Sequence, residues 1–179
     1  MSKEIAEKIQ EKFPTEFIGM NEFRDDWTVV VKPDRIVEIA RYLRDDSELV
    51  FDHLSDVYSV DYPDRSSASS AEGGGSGGER FEVVYQLNSI RKHHRLRLKT
   101  GLREDRCEID SVYPVWRAAG FLEREVYDLM GIRFRNHPDL RRIFLPEDFD
   151  GHPLRKEYPT EGKGWRNSFE FLPTEEPQS

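Results

Sequence analysis

Cysteine is nearly missing from this chain: Cys107 is the only one in 179 residues. A single thiol rules out an intrachain disulfide, and an iron–sulfur cluster usually takes about four thiolates, so this chain is expected to hold none by itself. Cys107 sits among charged residues and reads as an incidental thiol rather than a nucleophile. Long apolar runs are missing too. Nothing approaches the roughly 18 consecutive apolar residues of a transmembrane helix. Met1 to Phe13 is charged and lacks the apolar centre of a secretory signal, so none is expected. Net positive charge is absent: the formal balance is -8, which argues against nucleic acid as a partner. Catalytic signatures are missing as well. The five histidines, His53, His93, His94, His137 and His152, do not fall at a zinc spacing. No G-x-S-x-G, P-loop or H-E-x-x-H occurs. Gly73, Gly75 and Gly78 match G-x-G-x-x-G formally, but a strand follows them where a dinucleotide site needs a helix.

What is present is enough chain for one domain with a real core. Residues 2–13 read as a helix with Ile5, Ala6, Ile9 and Phe13 on one face, stopped by Pro14. Two strands, Glu16 to Arg24 and Trp27 to Lys32, flank a turn near Asp25-Asp26. Pro33 opens a second helix to about Arg44. A third strand is clearest from Val57 to Tyr62. Residues 65–79 are Ser/Gly-rich and read as a flexible loop. Phe81, Val83, Tyr85 and Leu87 alternate in a fourth strand, and Leu96 and Leu98 alternate with Arg95, Arg97 and Lys99 in a fifth. Arg91 to His94 is the basic tip between them, read as a solvated turn. Ser111 suits the cap of a short helical turn near Pro114. The expected fold is therefore α+β: a single mostly antiparallel sheet, helices largely on one face, and an extended irregular C-terminal tail. The expected division is an α+β domain over residues 1–130 and a tail over 131–179.

The stretch from Phe121 to Pro159 is the most distinctive. Leu122, Val126, Leu129 and Met130 form an apolar helical stripe, and Gly131 suits a left-handed C′ cap. With Gly120 as N-cap, Glu123 would take the acidic position of a capping box, and Arg124 and Asp128 would form an i,i+4 pair. Glu123 and Glu125 read as cap and docking charges, since residues two apart on a helix do not face each other. From Gly131 to Arg142 there are four arginines and one aspartate, interleaved with Ile132, Phe134 and Leu140. Pro138, Pro146, Pro153 and Pro159 break any regular structure. Such a segment is either laid against another surface, with apolar anchors and bidentate arginines, or wrapped over its own domain. His137 and His152 each precede a proline and are expected to bond backbone carbonyls.

Glu123-Arg124-Glu125, Tyr127-Asp128, Gly131-Ile132, His137-Pro138-Asp139-Leu140-Arg141-Arg142-Ile143, Gly151-His152-Pro153-Leu154-Arg155-Lys156 and Tyr158-Pro159 stand in one ordered, nearly gapless series. This series resembles the signature of the C-type, 30 kDa subunit of the proton-translocating NADH-quinone oxidoreductase, the respiratory complex I family with mitochondrial and chloroplast relatives. Met130 stands where an aromatic is more usual. The resemblance implies a non-catalytic structural subunit of the peripheral arm, with the tail laid on a partner. It implies partner-docking roles for Glu123, Arg124, Glu125, Asp128, Arg133, Arg135, His137, Asp139, Arg141, Arg142, His152, Arg155 and Lys156. It further implies two partners, the D-type (quinone-site) and B-type (terminal-cluster) subunits. NADH, FMN, iron–sulfur clusters and quinone are then expected elsewhere in the complex, with none bound by this chain. The implied location is the cytoplasmic side of the bacterial plasma membrane, with the membrane reached only through the complex. A related membrane-bound hydrogenase or another quinone-reducing dehydrogenase complex would use an equivalent subunit. From other classes, a free-standing enzyme would use the tail carboxylates and histidines, and a nucleic-acid-binding module would use Arg91 to Lys99.

Overall fold

Strand alternation and helical spacing meet on one buried surface. The computed structural model describes residues 2–66 and 79–163, so most of the Ser/Gly stretch and the last part of the expected tail lie outside the described residues. Helix α1 (Ser2–Lys12) buries Ile5, Ala6 and Ile9. Strands β1 (Phe17–Phe23) and β2 (Asp26–Val31) form an antiparallel hairpin. Its turn is Arg24-Asp25, both left-handed at φ 53° and 66°, which gives the twist a two-residue hairpin needs. Pro33–Arg35 forms a 3-10 turn, and helix α2 follows at Ile36–Asp45, three residues later than Pro33 alone suggests.

Strands β3 (His53–Asp61), β4 (Phe81–Ser89) and β5 (His94–Leu102) complete a five-stranded sheet in the order β1-β2-β5-β4-β3. Only the β2–β5 pair is parallel. One face is the core: Val29, Val31, Leu96, Leu98, Val83, Tyr85 and Leu87 pack with Ile9 of α1 and Ile36, Ile39 and Leu43 of α2. Among the described residues no helix covers the other face. Thr28, Val30, Gln86, Val84, Arg97 and Lys99 alternate onto it. Val30 and Val84 are buried there, outside the main core.

A second element pair was not legible from alternation. Strands β6 (Glu108–Asp110) and β7 (Arg133–Arg135) form a short parallel ladder. Between them runs helix α3 (Ala119–Met130), packed against β3. Ile109, Ile132 and Phe134 all belong to the main core. Burying a side chain of this size stabilises by about 1.5–3 kcal/mol. The chain after Met130 therefore packs Ile132 and Phe134 into the core before it becomes irregular.

Candidate docking surface

Two buried carboxylates organise the region. The first is Glu123 on α3. The helix starts at Ala119 with Ala118 as N-cap, so Glu123 lies past the first turn and caps nothing, contrary to the capping-box reading. Its side chain turns inward instead. The Ser111 hydroxyl donates to Oε2 at 2.5 Å and the Val112 N–H donates to Oε1 at 2.8 Å. Ser111 also accepts from the Tyr113 N–H at 3.1 Å, and Val115 and Trp116 N–H both reach the Val112 carbonyl, giving the short turn expected there. Burial pushes the Glu123 carboxyl up to about 7, against the lowering pull of its two bonds.

The second is Asp128, also fully buried. Three successive backbone N–H groups, from Ile143, Phe144 and Leu145, converge on its Oδ2 at 2.9, 2.8 and 3.0 Å. Arg142 donates to Oδ1 at 3.1 Å and reaches on to the carbonyls of Phe149 and Gly151. Burial would raise this carboxyl, yet the donors outweigh it and hold it below the usual range.

The same irregular strap caps α3. A helix leaves its last four carbonyls without partners inside the helix. Here the Tyr127 carbonyl accepts from Gly131 N–H, Asp128 from His152 Nδ1, Leu129 from Leu154 N–H, and Met130 from Arg155 Nε, all at 2.8–3.1 Å. Gly131 takes φ 74°, and a Cβ there would meet the His152 ring at 2.5 Å. His137 plays a matching part at the other end: Nε2 donates to the Gly120 carbonyl at 3.0 Å while Nδ1 accepts from Asp139 N–H. Both histidines are pushed down by burial and stay neutral at pH 7.

Farther along, the strap is tied to the sheet. Arg80, at the start of β4, bonds Asp61 of β3 through Nε and Nη2 at 2.8 and 3.0 Å and also contacts Glu104 and Glu157. Lys156 N–H donates to Asp61 at 2.8 Å. Arg80 and Arg155 both lie over the Phe81 ring, 4.9 and 5.1 Å from its centre.

The residues assigned docking roles thus divide. Glu123 and Asp128 are buried. Arg142, His137, His152 and Arg155 spend their donors inside the chain. Arg124 reaches the carbonyls of Arg141 and Arg142 rather than Asp128, and Arg135 pairs with Asp110 and Glu108 across the β6–β7 ladder. These side chains are thus bonded within the chain's own fold. Glu125, Arg133, Asp139, Arg141 and Lys156 remain exposed. Beside them Phe121, Phe144 and Leu154 are exposed by 71%, 62% and 55%. Ser111, Asp61 and Arg80 were missed, because their partners lie 12 to 95 residues away and no local spacing marks such pairs. Among the described residues no group of three or more His, Cys, Asp or Glu could hold a metal. Burial pushes the Cys107 thiol up to about 11. No helix among them is long and apolar enough to cross a membrane.

Known proteins share the sequence, and solved ones share the fold. Residues 29–164 match the family model for the respiratory-chain NADH dehydrogenase, 30 Kd subunit. The NADH-quinone oxidoreductase C subunit of Geobacter metallireducens is 48% identical over 157 residues, 88% of this chain and 89% of the relative. The corresponding C subunit of Rhodobacter capsulatus is 39% identical over 160 residues, 89% and 74% of the two chains. The solved trypsin-resistant fragment (1-134) of Nqo5 matches with a TM-score of 0.60 at 29% identity, covering 77% of this chain and 98% of that one. A chain of the membrane-bound sulfane sulfur reductase, an archaeal respiratory membrane complex, gives a TM-score of 0.69 at 22% identity over 89% and 86% of the two chains, a likeness of fold.

Proposed function

We propose a scaffolding role for this chain, which belongs to the respiratory-chain NADH dehydrogenase 30 Kd subunit family. Its partners are other subunits of a complex I-type assembly. Within the peripheral arm it docks beside the D-type subunit, which carries the quinone site, and the B-type subunit, which carries the terminal cluster. The assembly lies on the cytoplasmic side of the bacterial plasma membrane, and this chain meets the membrane only through it. NADH, FMN, iron–sulfur clusters and quinone bind elsewhere in the complex.

The observation that carries this reading is the clamped strap. Asp128 and Arg80 hold residues 136–158 firmly on the domain, yet Phe121, Phe144 and Leu154 stay in solvent. Exposed apolar side chains on a clamped backbone, ringed by charge, are what a protein interface needs. Purification of the tagged chain from native membranes tests the reading. The other subunits of the complex, the D and B types among them, should co-purify in fixed ratio, and the chain stripped from them should be colourless and free of iron. Recovery of the chain alone, or of stoichiometric iron in the stripped chain, would count against it.

A further inference from the structure

The sheet face opposite the core has at its centre a cation that no carboxylate among the described residues meets. β5 is the middle strand, and its outward side chains are Arg95, Arg97 and Lys99. Arg95 pairs with Asp26 of β2. Lys99 pairs with Glu82 at 3.0 Å, and Glu82 also takes Arg65 at 2.6 Å. Arg97 has no carboxylate partner among the described residues. Its one bond there is long, from Nη1 to the Thr28 hydroxyl at 3.5 Å, and its Nε is buried without a partner. The only other carboxylate in its row is Asp56, beyond Gln86 and two strands away, about 10 Å across the sheet.

A cavity of about 270 Å³ adjoins this side chain, lined chiefly by Asp26, Trp27, Gln86, Asn88, Arg95 and Arg97. The Gln86 and Asn88 side-chain N–H groups donate to Tyr58 and Ser55 of β3 at 3.1 and 2.5 Å, and among the described residues the guanidinium donates to neither amide oxygen, only to Thr28. A buried N–H left unbonded costs free energy until an acceptor reaches it, and a carboxylate matches the guanidinium fork.

We infer that this face is a second docking surface, distinct from the strap, and that its occupant is an Asp or Glu side chain of a neighbouring subunit seated on Arg97. The inference rests on the scaffolding role above. Charge complementarity selects the occupant. Among the described residues, two of the three cations in the column are neutralised and the third is not. The carboxylates of Asp26, Glu82 and Asp56 share the face and would repel the continuous charge of a nucleic-acid backbone, whereas a single carboxylate can seat on Arg97 while Arg95 holds Asp26.

The test is competitive assembly in the native host. Tagged wild-type chain is co-expressed with Arg97→Gln, Arg97→Lys or Arg97→Glu, and the share of each in the purified complex is measured by mass spectrometry. The Arg97→Gln share should fall about tenfold and that of Arg97→Glu further, with Arg97→Lys between, while the melting temperature of isolated Arg97→Gln stays that of the wild type. A photo-crosslinker in place of Gln86 should link to another subunit at a segment carrying Asp or Glu, and changing that acid to Lys should restore Arg97→Glu. Equal shares of Arg97→Glu and wild type overturn the inference. So do crosslinks confined to this chain, a nuclease-sensitive product, or a melting temperature that falls with assembly. Wild-type chain absent from every complex overturns the scaffolding role as well, which separates the two failures.

Discussion

A carboxyl buried without a cation costs free energy only when it ionises. Glu123 is such a group, with His137 at 3.9 Å and the Tyr85 hydroxyl as a further titratable neighbour. Its folded pKa, about 7, stands above its unfolded value. The stability it contributes is therefore whole below about pH 4.5 and is lost as pH rises through about 7, a loss of roughly 3 kcal/mol at most. His137 and His152 run the other way: pushed down by burial, they stabilise above their unfolded pKa and lose that as pH falls through the folded one. The difference in urea unfolding free energy between wild type and Glu123→Gln should thus shrink from pH 5 to pH 8, with the wild type losing stability relative to the variant. Parallel profiles would show that Glu123 does not titrate in this window. The sequence marks Glu123 and Asp128 as helical acids, and nothing more. Local spacing offers Asp128 the cation of Arg124, but the folded chain gives it Arg142 and three backbone N–H groups. Three convergent donors in a dry site outweigh one exposed i,i+4 pair, which is worth only about 0.3–0.5 kcal/mol.

Long elements with strong periodicity were legible. The strands carrying Phe81, Val83, Tyr85 and Leu87, and Leu96 and Leu98, lie where alternation puts them, and the helical stripes of α1, α2 and α3 face the core. Three-residue strands carry too little pattern to read, so β6 and β7 were hidden inside a turn and a tail. Strand order was hidden for a related reason: the parallel β2–β5 pair joins residues about 70 apart, and no local signal encodes that. The β3–β4 connection shows what can be removed. Its ends are closed by the Tyr62 N–H to Arg80 carbonyl bond at 2.8 Å and by the Arg65–Glu82 pair. Deleting residues 67–78 and joining the ends with a short Gly/Ser linker should leave cooperative unfolding intact and change stability by no more than about 1 kcal/mol, because closure entropy varies slowly with loop length. Chemical denaturation of the deletion checks this, and a lost transition would mean that the segment supports the sheet.

For the whole molecule, the two possible fates of the arginine-rich strap are both realised, at adjacent residues. From composition, Arg141 and Arg142 alike could have faced a partner. Arg142 is spent on Asp128 and on two strap carbonyls. Arg141 is 73% exposed and pairs only with the half-exposed Asp139. Replacing Arg142 by Ala removes a bond to a buried charge, worth about 1.5–3 kcal/mol, which in a chain of this size lowers the melting temperature by about 3–10 °C. Replacing Arg141 by Ala removes a surface pair and should leave the isolated chain's melting temperature nearly unchanged. Phe144 sits between these behaviours: its backbone N–H is clamped by Asp128 while its ring is in solvent. A backbone already held in place spares the segment an ordering cost on docking, which favours Phe144 as an anchor. Phe144→Ser should therefore melt like the wild type, yet its share in the assembled complex should fall about tenfold or more in competition with wild-type chain. If Phe144→Ser assembles normally while Arg142→Ala fails only through its lowered melting temperature, the strap serves this chain's own fold and its outer surface is not where the partner sits.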